Sequence, residues 1–199
     1  MRLDLRGRTF AGLLLLLSGS VFLIGVMLAE TMAPGYSMNA DAISDLGTVD
    51  GSSAVFNITL VLTGILAAAG GLLLHGHHRR RAVTALFVLA GLGAIGAGVF
   101  TLDASDIHGL FALLAFVAFN VLAIVCATLA RGPMRALSAI LGTVGLAFVI
   151  VMLLGDAGMA NMFGPIGHGG VERMIVFPVM IWMLGFGGYL MSPSAGPVR

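Results

Sequence analysis

The chain has 199 residues, of which 59% are hydrophobic and only 10% charged, with a mean hydropathy of +1.07 and a formal net charge of +1. That composition does not describe a water-soluble globule, nothing in it suggests nucleic acid, and it describes an integral membrane protein. A hydrocarbon core of about 30 Å takes roughly twenty helical residues, and six apolar segments meet that need, at 9–29, 53–74, 82–102, 108–130, 136–154 and 174–191. Runs such as AGLLLLLSGSVFLIGVMLA are continuously apolar and lack the period-two alternation of a membrane barrel. The fold class is therefore all-α: a polytopic membrane protein, one domain over 1–199, built as a six-transmembrane-helix bundle.

The first segment follows Arg2, Arg6 and Arg8 as a signal peptide would, but its apolar run exceeds the usual length of about 7–15 residues, so it is expected to be retained. Next comes YSMNADAISDLG, Tyr36 to Gly47. Asn39 is placed to cap, Ile43 and Leu46 have helical spacing, and Gly47 is placed to end the element, which predicts a short helix at the membrane interface presenting Ser44 and Asp45. Asn57 follows early in the second span. That span ends in HGHHRRR, where His75, His77 and His78 raise the question of a metal; beside Arg79, Arg80 and Arg81 in a short turn, topology anchoring and attraction to anionic lipid explain them better.

The third span, ALFVLAGLGAIGAGVF, carries small residues for close helix packing, with Gly93 and Ala97 at small-xxx-small spacing, as Gly64 and Ala68 are in the second. TLDASDIHG then brings Asp103, Asp106 and His108 to the start of the fourth span. The single cysteine, Cys126, lies inside that span and reads as a small buried hydrophobe. Arg131 and Arg135 precede the fifth span. The last connection, GDAGMANMFGPIGHGGVER, supplies Asp156, His168, Glu172 and Arg173. No internal repeat supports an inverted-repeat transporter, and no acidic or basic residue lies at the middle of a span, which ranks a channel or proton-coupled transporter third.

Nine of the ten arginines fall on one side of this arrangement and eight of the nine acids on the other. The positive-inside rule then puts both termini in the cytoplasm and the first, third and fifth connections outside a cell membrane that the chain crosses several times. Those three connections must converge at the outer mouth of the bundle. Asp45 and His108 are the acid/base candidates there, with Ser44 as a nucleophile or hydrogen-bond donor. Tyr36, Ser37, Asn57, His168, Glu172 and Arg173 are the ligand-binding candidates, the last two suited to an anionic headgroup. The structural alternatives are that Glu172 complements the helix dipole and pairs with Arg173, that Asp103 and Asp106 are solvated or capping, and that His168, between two glycines, sits in a flexible loop. A zinc site would draw on His108, His168 and a carboxylate from Asp45 or Glu172.

YSMNADAISDLG with a following FN, HG opening the fourth span, and GGVERM opening the sixth with Trp182 further along together resemble the prokaryotic six-span membrane family catalogued as domain of unknown function 998, over almost the whole chain. More remotely, ISDLG after the first span is similar to an element of the Frag/DRAM group, which includes a GPI-lipid remodelling factor; that similarity implies work on lipid at the outer leaflet. Two functions follow. One is a hydrolase or acyl/group transferase modifying a lipid or isoprenoid at an extracytoplasmic-facing polar site. The other is a non-catalytic lipid-binding, sensing or assembly protein, with oligomerisation through the Gly-rich helices open to either.

Overall fold

The computed structural model describes residues 2–103 and 107–192, with side chains from residue 7 onward. Six long helices carry the chain: α1 (Arg2–Met32), α2 (Ser53–His78), α3 (Arg81–Val99), α4 (Ile107–Cys126), α5 (Pro133–Asp156) and α6 (Gly167–Met191). Two 3₁₀ turns interrupt the connections, at Ile43–Gly47 and Ala160–Ile166, and no strand occurs among the described residues. Each of the six helices is long and apolar enough to cross a membrane. Large apolar side chains such as Phe10, Ile58, Leu110 and Ile150 face outward, as lipid as solvent permits.

Consecutive helices pack side by side, and α6 packs back against α1, so the bundle closes as a ring. Because neighbours alternate in direction, the α1–α2, α3–α4 and α5–α6 connections share one end, here called the mouth. Both chain ends meet at the other, where Arg8 Nη2 donates to the Ser192 carbonyl at 3.0 Å. Small residues set the ring's tightness. A Cβ on Gly91 of α3 would sit 2.6 Å from the Gly64 carbonyl and 2.9 Å from Ala68 Cβ of α2, so the Gly64/Ala68 pair is where α3 seats. Away from the mouth, Trp182 is fully buried and its indole N–H donates to Ser138 Oγ at 2.9 Å. Cys126 is fully buried as well.

Local structure departs from the sequence-based expectation at three places. The segment after α1 is a five-residue 3₁₀ turn capped at Ala42, not a helix capped at Asn39. Ile43 and Leu46 are both buried, and their spacing of three suits the three residues per turn of a 3₁₀ helix. Second, α2 continues through His78, so the three histidines form its last turn; Arg79 closes it in the left-handed region (φ 53°), its N–H donating to the His75 carbonyl. His75 Nδ1 then pairs with Thr84 Oγ1 at 2.7 Å, and the Arg80 amide donates to His78 Nδ1 at 2.9 Å. Third, α6 begins at Gly167, seven residues ahead of the expected 174, and takes His168, Glu172 and Arg173 into the helix. Glycine is a poor helix former, but a Cβ on Gly169 would collide with the Met38 and Asp41 carbonyls, so only glycine lets the helix start against the first connection.

Candidate functional site

Arg173 organises the mouth. Its guanidinium has five N–H donors, and each finds an acceptor: Nε and Nη2 reach Glu30 Oε1 at 3.2 and 2.6 Å, Nη2 also reaches the Tyr36 hydroxyl at 2.6 Å, and Nη1 reaches the Met38 and Gly169 carbonyls, both at 2.8 Å. The pairing is thus with Glu30 of α1, not with the adjacent Glu172. Tyr36 in turn donates to the Ala42 carbonyl at 2.9 Å, and its ring lies under the guanidinium, 5.5 Å from centroid to Cζ. Burial pushes the Tyr36 hydroxyl up to about 12, with the Arg173 hydrogen bond opposing, so it stays a neutral donor.

The 3₁₀ turn is held by its neighbours in the same way. The Asp45 carboxylate accepts the Ala42 N–H at 2.8 Å, Asn57 Nδ2 donates to the Gly47 carbonyl at 3.0 Å, and Ser52 Oγ donates to the Leu46 carbonyl at 2.9 Å. Ser37 is exposed and its amide donates to Asp41 Oδ2 at 2.7 Å. Asn39 donates to the Pro165 carbonyl at 2.9 Å, tying the first connection to the last. The carboxylate that meets the open N-terminus of the turn is Glu172, buried on α6: Oε2 accepts the Ile43 N–H at 2.5 Å and the Ser44 amide also donates to it. Asp45, Asn57, Tyr36, Ser37 and Arg173 are therefore bonded to the mouth's own framework and line neither of the two spaces beneath it.

Under the turn a cavity runs down the centre of the ring, with about 580 Å³ of empty space, its open side included, in a form so narrow that a few waters fill its wider points. Ser44, His108 and Glu172 line its top, and apolar side chains such as Phe22, Leu60, Ala115 and Val176 line its walls. His108 is 4% exposed. Its Nδ1 faces the Phe100 and Ala97 carbonyls at 2.8 and 3.1 Å, so in the neutral imidazole Nδ1 carries the hydrogen and Nε2 keeps the lone pair. That Nε2 is buried and has no hydrogen-bond partner within the protein.

Asn120, twelve residues along α4 and about 18 Å deeper at the helical rise, lies at the cavity's floor. Its Nδ2 donates to the Phe116 and Ile175 carbonyls at 2.8 and 3.1 Å, while Oδ1 is buried without a partner. Thr63 Oγ1 of α2, at the same cavity, is also buried without one. Sequence reasoning passed over both because neither is charged; the signal was a hydroxyl and an amide inside apolar spans. Ser44, His108 and Glu172 also border a second, more open cleft of about 690 Å³, which reaches between α4 and α5 to Leu113, Val149 and Leu153. Its rim holds His168, whose Nε2 lies 3.2 Å from Asp156 Oδ1 and whose ring meets Phe163 edge-on at 5.0 Å. Asp103 is exposed, and Asp106 lies outside the described residues. Among the described residues no group of three or more His, Cys, Asp or Glu side chains is arranged to hold a metal ion, so His108, His168 and a carboxylate from Asp45 or Glu172 do not converge as a ligand set.

Compared with known proteins, the chain matches one family, described as "Protein of unknown function (DUF998)", over residues 16–189. No curated protein and no solved structure matches it.

Proposed function

The chain belongs to the DUF998 family, and from the cavity it encloses we propose that it binds a single-chain amphiphile of the membrane, chain in the cavity and polar end at Ser44, His108 and Glu172. The cavity's depth of about 18 Å at the helical rise is close to one leaflet's share of a hydrocarbon core of about 30 Å. The arginine distribution supports an extracytoplasmic mouth, and in this reading the leaflet concerned is the outer one. The cleft between α4 and α5 is the route from lipid. Passage into the narrow cavity requires Phe116, Phe119 and Met180 to change rotamer, and methionine is the most adaptable of apolar side chains.

One observation carries this reading: a continuous apolar space ends, at its wet end, on a buried histidine nitrogen with nothing in the protein to bond. Photo-crosslinking tests it. A fatty alcohol with a diazirine at its tail is expected to label α4 and α6 at the floor, around Phe119 and Met180, and to be displaced by unlabelled alcohol. Labelling confined to outward positions such as Leu110 and Ile150 would defeat the proposal.

The same histidine favours a second reading, a hydrolase or group transferase acting on a lipid or isoprenoid. Its fixed tautomer leaves Nε2 as a proton acceptor, and Ser44 at the same cavity is the available hydroxyl. Turnover of a bound ester or prenyl compound, lost in His108→Phe, distinguishes this from binding alone.

A further inference from the structure

Resting on the chain-binding reading, the hydrogen-bonding inventory of the cavity specifies the polar end of the ligand, and we propose that the site takes uncharged amphiphiles headed by a hydroxyl and excludes carboxylates and phosphate esters. At the mouth, His108 Nε2 presents a lone pair, since Nδ1 is committed to the Phe100 and Ala97 carbonyls. Glu172 presents a carboxyl group, whose Oε2 already accepts the Ile43 N–H. Arg173 beside it has all five N–H donors bonded to Glu30, Tyr36, Met38 and Gly169, so it offers none to a ligand, and His168 on the rim of the cleft is turned to Asp156. Neither the cavity nor the cleft is lined by an arginine, and the sequence contains no lysine.

The Asn120 amide adds no donor at the floor: both bonds of its nitrogen go to backbone carbonyls, and its Oδ1 lies against Gly145 of α5. At the mouth an anionic head would meet the Glu172 carboxyl group and the His108 lone pair, with the Ser44 hydroxyl as its donor and no arginine or lysine to balance its charge, so in a space with few waters it would lose more hydration than it regains. An ammonium would meet Glu172 and His108 Nε2 but carry a full charge into an apolar cavity, a desolvation cost that a hydroxyl does not bear. A hydroxyl needs one acceptor, which Nε2 provides, and desolvates at far smaller cost.

The test uses the full chain in phosphatidylcholine nanodiscs with four tail-brominated twelve-carbon chains: dodecanol, dodecanoate, dodecyl phosphate and dodecylamine. The readout is quenching of Trp182, the one tryptophan in the sequence, which is fully buried on α6 two residues past Met180 of the floor. Dodecanol is expected to quench saturably, at about one tenth of the half-saturating mole fraction of the carboxylate or phosphate, a ratio equivalent to about 1.4 kcal/mol. His108→Phe should weaken dodecanol roughly five- to tenfold, the worth of one ordinary hydrogen bond. Glu172→Gln keeps the shape, replaces the carboxyl group by a neutral amide with N–H donors of its own, and should bring dodecanoate closer to dodecanol. Carboxylate, phosphate or ammonium binding as tightly as the alcohol, or an unchanged preference in Glu172→Gln, overturns the headgroup assignment while chain binding stands. If no chain quenches saturably whatever its head, it is chain binding itself that fails.

Discussion

Replacing Arg173 by methionine should loosen the mouth without opening the rest of the bundle. The side chains of Arg173 and Glu30 are only 9% and 14% exposed, so solvent screens little of their pairing. Removing one member of a buried pair leaves the other charge uncompensated and costs about 3–5 kcal/mol. Here the loss also leaves the Tyr36 oxygen and the Met38 and Gly169 carbonyls without the donors they accept from. If that cost falls on local opening of the first connection, amide exchange across 36–47 accelerates by about two to four orders of magnitude, at 1.4 kcal/mol per tenfold. Exchange around Trp182 and Ser138, at the far end, should change little. Hydrogen exchange by mass spectrometry in nanodiscs measures both. A companion variant, Glu30→Leu with Arg173→Met, removes both charges and should recover part of the protection. Acceleration of less than tenfold at 36–47 in the single variant, or equal acceleration at both ends, would refute the reasoning.

Thr63→Val deletes a hydroxyl with no partner in the protein, so thermal stability should stay within about 0.5 kcal/mol of the parent, checked by thermal unfolding in one detergent. Ser138→Ala removes the acceptor of a buried indole N–H and should cost about 1–3 kcal/mol, with a blue shift of Trp182 emission as the local signature. Gly64→Leu drives a side chain into the Gly91 backbone of α3 and should lower stability by at least about 1–3 kcal/mol or abolish folded yield in size-exclusion chromatography. Tyr36 keeps its proton to about pH 12 in the folded chain, whereas the unfolded chain releases it near the ordinary 10. Between those values the folded state binds more protons than the unfolded, so stability falls as pH rises, and Tyr36→Phe should flatten that part of the pH–stability curve. Cysteines introduced at Ala136 and Ala157, both exposed, should be labelled by an impermeant maleimide only after permeabilisation and from outside, respectively; Cys126, fully buried, stays silent.

The number and order of the spans were readable because uninterrupted apolar runs in lipid leave the backbone no alternative to helix. Convergence of His108, His168 and Glu172 at one end was also readable, from the parity of the connections alone. What escaped was non-local. The start of α6 reads as loop in GHGGVER because its glycines serve a contact with residues 38–41, which no local pattern reveals. Asp45 stands out in ISDLG, yet the carboxylate that receives the turn's first amide comes from Glu172, 129 residues away from Ile43. Glu30 looked like one acid among several until α6 delivered its arginine. Thr63 and Asn120 lay in plain view within apolar segments, but only packing decides whether such a group meets a carbonyl, a lipid or a cavity.

The closing contact of the ring joins residues separated by 143 positions, Glu30 at the end of the first helix and Arg173 near the start of the last. Translation at about 5–20 residues per second leaves an interval of roughly 7–30 s between the two. During it a nascent chain of up to five helices holds a carboxylate at the membrane surface with no counter-charge and a central space open along the side that α6 will fill. Chains arrested in that interval display both an unpaired acid and a lipid-exposed trough, which mark an unfinished protein for membrane chaperones and proteases; synthesis of α6 removes both marks in one step.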